Sequence, residues 1–314
     1  MKWRVLITCP HLQKTIEPYR SLFAERDIEV EVPPLLQQLN EAELLEIIDR
    51  FDGVIAGDDF FTAKVLEKGK RLKIVAKWGI GLDAIDLEAA KKLGILVRNT
   101  PDVFADEVAD VVLGYIVLLA RGLHKLDQSV RNGGWLKIQG RSLRGKTLGV
   151  IGVGSIGQAV VQRGVALGMS VVGYDVASIP ESFVQETGMT QESLELLLQV
   201  SDFISLNCNL TASNYHFLGE KQFDLMKEGV CLINTARGPL IDETTLVKAL
   251  TAGKVAGAAL DVFEAEPLPM ESPLRQFDNC IFGTHNASNT LEAVMRVNEM
   301  AIKNLLTGLE DSIR

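Results

Sequence analysis

Three polar side chains of types that bind anions and transfer protons follow three successive β-type runs. Arg237, Glu266 and His285 come shortly after apolar runs that end at positions 234, 260 and 283. Because the carboxyl ends of parallel strands meet at one edge of a sheet, we expect these side chains to converge on one site. Arginine offers a planar fork to a carboxylate, and histidine exchanges protons near neutrality. The pattern predicts acid–base chemistry on an anionic compound.

A glycine-rich segment earlier in the chain predicts the partner of that chemistry. The run 148–151 leads into GVGSIG at 152–157, a helix-compatible segment, and a second β-type run that ends in Asp175. In this setting the first glycine permits a tight turn, the second lets the backbone approach a pyrophosphate, and the third lets helix pack on strand. The candidate contacts of a dinucleotide are Gly152, Gly154, Ser155, Ile156 and Gly157.

Asp175 indicates which dinucleotide is bound. It lies 18 positions after Gly157, where a carboxylate can accept hydrogen bonds from the ribose hydroxyls. A carboxylate there repels a 2′-phosphate, and residues 176–178 contain no arginine to receive one. The sequence therefore predicts NAD rather than NADP.

The elements around these motifs predict an α/β fold with two doubly wound parallel-sheet domains. Residues 1–99 alternate short apolar runs with helix-length segments but carry no glycine fingerprint. Among these segments, 15–25 and 41–50 are each predicted to form one helix, and Asn40 with Glu43 is predicted to cap the second. We expect a flavodoxin-like substrate-binding domain of residues 1–99 plus 289–314, a Rossmann NAD-binding domain of residues 100–288, and a cleft between them. Proline in NTP at 99–101 marks the hinge, and the last helix, 290–307, is expected to return to the first domain.

Composition and charge argue against several classes of protein, among them nucleic-acid-binding, secreted and membrane proteins. The chain has 314 residues, 47% hydrophobic and 23% charged, with a net charge of −9 that argues against nonspecific nucleic-acid binding. Its four cysteines show no metal-ligand spacing and no disulfide framework. The first residues run into a strand without a signal peptide, and the apolar stretch 108–120 is too short to span a bilayer. We expect a cytoplasmic protein with no membrane association and no bound metal.

From about residue 54 to 291 the chain resembles the D-isomer-specific 2-hydroxyacid dehydrogenase family, in its phosphoglycerate dehydrogenase-like branch without the regulatory domain. The resemblance rests on ordered matches along most of the chain: GIGLDAID at 79–86, NTP at 99–101, GKTLG at 145–149, the glycine loop, NTARG at 234–238, DVFEAEP at 261–267 and TH at 284–285. It implies hydride transfer between NAD and C2 of a 2-hydroxy or 2-oxo acid.

The resemblance also implies roles for particular residues. Arg237 matches the substrate-binding arginine, Glu266 its acidic partner and His285 the acid–base histidine, roles that suit their chemistry. The remaining implied contacts of the cofactor are Cys208, Thr211, Thr235, Ala236 and Asp261. Those implied for the small anionic substrate are Lys77, Gly79, Ile80 and Gly81, the last three through backbone N–H groups, together with Arg237.

Several alternatives remain open at this point. Phosphoglycerate dehydrogenases hold a phosphate with an arginine-serine type segment that Gly57, Asp58 and Asp59 replace here, which disfavours 3-phosphoglycerate. A phosphite-type dehydrogenase uses the same Arg–Glu–His set. A corepressor-like protein would bind NADH without turnover. The apolar helical region 105–131 is either buried in its own domain or forms a homodimer interface, as the resemblance implies. The substrate beyond C2 is not predicted.

Overall fold

The computed structural model describes residues 3–312 and divides into two compact units. The first unit combines the chain up to Val103 with the segment from Thr290 onward, and the second unit is Phe104–Asn289. Each unit has its own parallel sheet. The fold class predicted from the sequence, two parallel-sheet α/β domains, is confirmed.

The sheet of the first unit has five strands in the order β2-β1-β3-β4-β5, and all pairings are parallel. The strands are β1 (Trp3–Ile7), β2 (Ile28–Glu31), β3 (Gly53–Ala56), β4 (Ile74–Lys77) and β5 (Leu96–Arg98). Every residue of β3 and β4 is buried. Continuous apolar runs of this kind are typical of strands that are covered on both faces.

Short helices connect these strands: α1 (Pro10–Lys14), α2 (Arg20–Ala24), α3 (Glu41–Ile47), α4 (Ala63–Lys68) and α5 (Leu87–Leu93). The sequence predicted one helix over 15–25, which was wrong: a 3₁₀ turn, Glu17–Tyr19, contains Pro18 and separates α1 from α2. Proline has no N–H and cannot continue an α-helical ladder. The predicted cap of α3 is confirmed, because Asn40 and Glu43 form a reciprocal capping box.

The second unit has a seven-stranded parallel sheet in the order β12-β11-β10-β9-β6-β7-β8. Its strands are β6 (Thr147–Ile151), β7 (Ser170–Tyr174), β8 (Thr190–Gln191), β9 (Phe203–Leu206), β10 (Val230–Asn234), β11 (Val255–Leu260) and β12 (Cys280–Phe282). The strand order reverses at β6, between β7 and β9, and such a reversal creates a ligand-binding crevice beyond the carboxyl ends of the strands. Strands β10, β11 and β12, which precede Arg237, Glu266 and His285, are neighbours.

The helices of the second unit are α6 (Ala105–Arg121), α7 (Leu123–Arg131), α8 (Ser155–Ala166), α9 (Glu181–Thr187), α10 (Leu194–Val200), α11 (Glu220–Leu225) and α12 (Glu243–Ala252). Gly122 adopts a left-handed conformation and separates α6 from α7. Helix α6 packs against α8, where Arg163 bonds to the carboxylates of Asp106 and Asp110. Helix α9 and the two-residue strand β8 were not predicted from the sequence.

The last helix, α13 (Leu291–Asp311), packs on the sheet of the first unit. A Cβ added to Gly308 would lie 2.1 Å from Cδ1 of Ile74, and one added to Gly53 would lie 2.7 Å from Cδ1 of Leu305. Glycine therefore allows close approach on both sides of this contact. The indole N–H of Trp78 donates to Oδ1 of Asn298 at 2.8 Å. Across residues 3–312, no helix combines the length and apolar character needed to cross a bilayer.

Candidate active site

Arg237 lies in a turn that the end of β10 builds. The side-chain oxygen of Asn234 accepts a hydrogen bond from Ala236 N at 3.0 Å, and its amide donates to the carbonyl of Arg237 at 2.8 Å. A Cβ on Gly238 would lie 1.9 Å from the backbone carbon of Phe263, so only glycine lets this turn approach the one after β11. The turn leaves Arg237 half-buried at the carboxyl edge of the sheet.

Glu266 and His285 form a direct pair. Nδ1 of His285 lies 2.8 Å from Oε2 of Glu266, and both side chains are largely buried, with 24% and 17% exposure. The other carboxylate oxygen, Oε1, accepts the N–H of Phe263 at 3.0 Å. An ionised carboxylate only accepts hydrogen bonds, so it fixes the tautomer with the proton on Nδ1 and stabilises the imidazolium form. Nε2 is then the nitrogen that exchanges a proton with a substrate.

Asp261 holds the loop that carries His285. It is 2% exposed, its carbonyl accepts His285 N at 2.7 Å, and its Oδ2 accepts the N–H groups of Asn286 and Ala287 at 2.9 and 2.8 Å. His285 itself has a φ of +55°, a conformation that costs a non-glycine residue about 1 kcal/mol or more. These three bonds compensate for that cost and keep the imidazole in one place.

The glycine loop has the geometry that a pyrophosphate needs. Gly152 has a φ of +88°, and a Cβ there would lie 2.6 Å from the N of Cys208. A Cβ on Gly157 would lie 2.0 Å from the carbonyl oxygen of Gly152, whereas one on Gly154 would meet nothing within 4 Å. Helix α8 begins next to this open position without a side-chain cap, and Ser155 is exposed there. Its first-turn N–H groups and positive dipole end fit an anion.

Asp175 lies at the end of β7, beside the glycine loop. Its Oδ2 accepts Val153 N at 2.6 Å and its Oδ1 accepts Ala177 N at 2.9 Å, so the carboxylate is fixed. Ionised carboxylate oxygens have further lone pairs for ribose hydroxyls. The residues present therefore fit NAD, as predicted from this carboxylate.

The other predicted cofactor contacts lie in loops after neighbouring strands. Burial raises the pKa of the Cys208 thiol to about 11, so this cysteine is a half-buried neutral group. Thr211 is exposed, and its N–H donates to Asn214 Oδ1 at 2.7 Å. Oγ1 of Thr235 is buried and has no hydrogen-bond partner within residues 3–312, which leaves an acceptor and a donor for a ligand group. Ala236 is half-buried beside it.

The predicted substrate contacts of the first unit include a lysine that already has an ion-pair partner. Nζ of Lys77 donates to the carbonyl of Gly57 at 2.6 Å and to Oδ1 of Asp58 at 2.7 Å, and the side chain is 5% exposed. The neighbouring Asp59 is buried, and desolvation raises its pKa to about 6. Its oxygens accept the hydroxyl of Thr8 and the N–H groups of Leu39 and Gly57.

One predicted backbone donor is used within the fold. The N–H of Gly79 donates to Oγ1 of Thr100 at 3.0 Å, and the carbonyl of Gly79 accepts Thr100 N. Gly79 is buried, while Ile80 and Gly81 are half-exposed. In the structure the threonine hydroxyl accepts the first of the three predicted N–H groups, and substrate contact by Gly79, Ile80 and Gly81 stays a prediction.

Sequence reasoning missed Asn234 and Gly238, which shape the arginine turn. The sequence did contain a signal. An asparagine side chain often accepts the backbone N–H of the residue two positions later, and an asparagine at the end of a strand is therefore typical of a turn. The stacking of His11 on Trp78, with ring centroids 4.7 Å apart, was also missed. No spacing rule connects these two residues.

The glycine loop lies at the point where the strand order reverses, and the carboxylate of Asp175 beside it is fixed in place. Together with an arginine, a glutamate and a histidine that follow three neighbouring strands, these features define an NAD-dependent oxidoreductase. Residues 113–287 match the family model described as D-isomer specific 2-hydroxyacid dehydrogenase, NAD binding domain. The chain is 37% identical to a glyoxylate reductase of Korarchaeum cryptofilum over 314 residues, covering 98% of this chain and 92% of that one. It is 41% identical to a hydroxypyruvate reductase of Thermotoga maritima over 266 residues, with 83% and 86% covered.

Solved structures agree with this assignment. The D-lactate dehydrogenase of Aquifex aeolicus, solved with NAD and lactic acid, superposes with a TM-score of 0.86 at 29% identity and covers 99% of this chain and 96% of that chain. The chain belongs to the D-isomer specific 2-hydroxyacid dehydrogenase family. It is an oxidoreductase that acts on the CH–OH group of 2-hydroxy acids, and its cofactor is NAD.

Proposed function

We propose that this enzyme reduces a small, non-phosphorylated 2-oxo acid, with glyoxylate and hydroxypyruvate as the first candidates. These are the compounds in the names of its relatives in Korarchaeum cryptofilum and Thermotoga maritima. The observation that carries the acid–base part is the 2.8 Å pair of His285 and Glu266 at the strand end next to the Arg237 turn.

Bound NADH supplies a hydride for C2 of the substrate, and the protein residues do the rest. In our proposal Arg237 binds the carboxylate and the carbonyl oxygen through its planar fork. Nε2 of His285 gives a proton to the oxygen on C2 as negative charge develops there, and takes it back in the reverse direction. Glu266 keeps the imidazole oriented and supports its charged form.

We also propose, as the resemblance implies, that Lys77 and the N–H groups of Gly79, Ile80 and Gly81 contact the substrate. Lys77 carries one positive charge, but Asp58 and Asp59 oppose it, so the ionised trio has a net charge of −1. A phosphate or a second carboxylate on C3 would meet this negative charge, whereas a hydrogen or a hydroxyl would not. The trio therefore favours glyoxylate and hydroxypyruvate over 3-phosphohydroxypyruvate.

We further propose that the enzyme is a cytoplasmic homodimer that associates through residues 105–131. Fully buried residues of α6 lie along one face, Val108, Ala109, Val112, Ile116 and Ala120, while other apolar positions of this helix stay half-exposed. Leu123 and Val130 of α7 are 41% and 55% exposed. Apolar surface of this kind is typical of an interface. A monomer in light scattering of the purified chain would contradict the dimer.

The assay for the function measures the loss of NADH absorbance with glyoxylate, hydroxypyruvate and 3-phosphohydroxypyruvate. We expect turnover with the first two, weak turnover with the third, and a fall of about 10²- to 10⁴-fold in His285→Asn with little change in NADH affinity. An enzyme that binds NADH but turns over none of the three acids would contradict the proposal and favour an NADH-sensing role. Preference for 3-phosphohydroxypyruvate would contradict the proposed substrate class but not the proposed reaction.

A further inference from the structure

The ammonium group of Lys77 is held in one place within the first unit. Its Nζ donates to the carbonyl of Gly57 at 2.6 Å and to Oδ1 of Asp58 at 2.7 Å, and the side chain is 5% exposed. Nζ also lies 3.9 Å from the position that a Cβ on Gly79 would take, so the ammonium is next to the segment 79–81. An ammonium has three N–H donors. Two of them have acceptors among residues 3–312, which leaves the third for a substrate oxygen.

One of the two acceptors of this lysine is itself fixed by a buried carboxylate. Oδ2 of Asp59 accepts the N–H of Gly57 at 2.9 Å, while the carbonyl of the same glycine accepts Nζ of Lys77. Gly57 also has little room to move, because a Cβ there would lie 3.1 Å from the carbonyl oxygen of Thr8. Asp59 therefore holds the residue whose carbonyl binds the lysine.

Asp59 is in turn anchored to two other parts of the unit. The hydroxyl of Thr8, which directly follows β1, donates to Oδ2 of Asp59, and Leu39 N donates to Oδ1 at 2.7 Å. Asp59 and Thr8 are 1% and 0% exposed. Because β1, β3 and β4 are neighbouring parallel strands, their carboxyl ends meet at one edge of the sheet. A chain of hydrogen bonds runs along this edge from Thr8 through Asp59 and Gly57 to Lys77.

The buried carboxylate has a cost that packing alone does not explain. Desolvation raises the pKa of Asp59 to about 6, so burial opposes its charged form. Well-packed apolar residues are often at least as stable in such positions as buried charged groups. Carboxylates that are perturbed in this way are typical of functional sites. Within the first unit, the function that the contacts of Asp59 indicate is the placement of Lys77.

We infer that Asp59 and Thr8 are positioning residues for Lys77: they hold the carbonyl of Gly57, and through it the ammonium, where a substrate oxygen binds. This inference rests on the proposed contact of Lys77 with the substrate. An ammonium that is already oriented loses less conformational freedom when the substrate binds. Loss of the positioning residues should therefore weaken substrate binding equally in the ground state and the transition state, and leave the hydride step unchanged.

Steady-state kinetics of the full-length enzyme with NADH and glyoxylate test the inference. Asp59→Asn replaces one acceptor oxygen by an NH₂ group. We expect KM for glyoxylate to rise at least about 5-fold, with kcat and KM for NADH within a factor of about two of the wild type. Removal of a negative charge would by itself favour an anionic substrate and lower KM, so the direction of the change separates positioning from charge.

Thr8 provides a second test that changes no charge. Thr8→Val keeps the shape of the side chain but removes the hydroxyl that donates to Asp59, and it should raise KM for glyoxylate as Asp59→Asn does. Thr8→Ser keeps the hydroxyl and should have a KM close to that of the wild type. Wild-type KM in both Asp59→Asn and Thr8→Val, a lower KM in Asp59→Asn, or a loss confined to kcat would overturn the inference.

Asp52→Asn is the matched control. Asp52 is 5% exposed and accepts Arg4 N at 2.8 Å, but it precedes β3, whereas Asp59 follows that strand. The same substitution there removes a buried carboxylate at the opposite end of the sheet and should leave KM for glyoxylate unchanged. If KM rises as much in Asp52→Asn as in Asp59→Asn, the effect belongs to the stability of the unit and the inference is wrong.

Lys77→Met separates failure of this inference from failure of the proposed function. An enzyme that turns over none of the 2-oxo acids contradicts the proposed function and this inference with it. Wild-type KM in Lys77→Met contradicts the substrate contact on which the inference rests. A raised KM in Lys77→Met, with wild-type KM in Asp59→Asn and Thr8→Val, contradicts the inference alone. Circular dichroism and NADH fluorescence check that each variant folds, and if Asp59→Asn does not, the comparison of Thr8→Val with Thr8→Ser decides.

Discussion

Replacing Glu266 by glutamine tests the core of the proposed mechanism, because both carboxylate oxygens have assigned partners. Oε2 faces Nδ1 of His285 and Oε1 accepts Phe263 N. Glutamine has one acceptor oxygen and one NH₂ group, so either the histidine or the backbone N–H must face a donor. The variant also removes the negative charge that stabilises the imidazolium.

The expected loss corresponds to one charge-assisted hydrogen bond in a largely buried site, about 1.5–3 kcal/mol. At 1.36 kcal/mol per factor of ten, kcat/KM for glyoxylate should fall about 10- to 150-fold. The activity limb controlled by the histidine should move to lower pH, because the protonated imidazole is less stable without the carboxylate. NADH affinity, measured by fluorescence titration, should stay within a factor of about two of the wild type.

The control is Glu271→Gln, which makes the same chemical change at an exposed position. It should leave kcat/KM and the pH profile unchanged. If Glu266→Gln has wild-type kcat/KM and an unshifted pH profile, the pairing of the carboxylate with His285 has no part in proton transfer. If its NADH affinity collapses in parallel with activity, the substitution acts through the fold rather than through the imidazole.

Three further predictions concern the cofactor, the arginine turn and the first unit. Asp175→Ser should weaken NADH binding and relax the discrimination against NADPH, measured as the ratio of the two kcat/KM values, because the carboxylate no longer repels a 2′-phosphate. Gly238→Ala places a Cβ 1.9 Å from a backbone carbon of Phe263 and should lower stability by about 1–3 kcal/mol, measured by urea unfolding, whereas Gly114→Ala, where a Cβ meets nothing within 4 Å, should not. Asp59 has its pKa raised from 3.8 to about 6 by burial, so its neutral form favours folding below about pH 4 and this contribution is lost as pH rises to about 6. The unfolding free energy of the wild type relative to Asp59→Asn should fall by about 3 kcal/mol over that range, and a pH-independent difference would contradict the assignment.

The sequence predicts those features of the fold that follow from a general rule about strands and sheets. Continuous apolar runs locate strands such as β3 and β10, and the rule that parallel strands end at one edge brings Arg237, Glu266 and His285 together. Strand β8 escaped prediction because its two residues, Thr190 and Gln191, are both exposed and carry no apolar pattern. The amphipathic spacing of residues 15–25 predicted one continuous helix, but Pro18 lies in a 3₁₀ turn that interrupts it.

Contacts between residues far apart in sequence could not be predicted in the same way. The ion pair of Lys77 with Asp58 and the bond from Gly79 N to the Thr100 hydroxyl depend on side-chain rotamers and on loop paths. Both change the chemistry of the site, since the first pairs a cation and the second occupies a donor. The type of a residue tells which chemical roles it could have. Its contacts in the folded structure decide which of these roles are still available.

The position of helix α13 has a consequence for how the chain acquires its structure during synthesis. All strands of the first sheet have been synthesised once the chain reaches Arg98. Gly53 and Ile74 of this sheet are covered only later, when Leu305 and Gly308 of α13 have been made. The second unit, Phe104–Asn289, is contiguous and leaves the ribosome before the covering helix. The first unit to begin synthesis is therefore the last to finish its core, and the face of its sheet that α13 covers stays exposed until then.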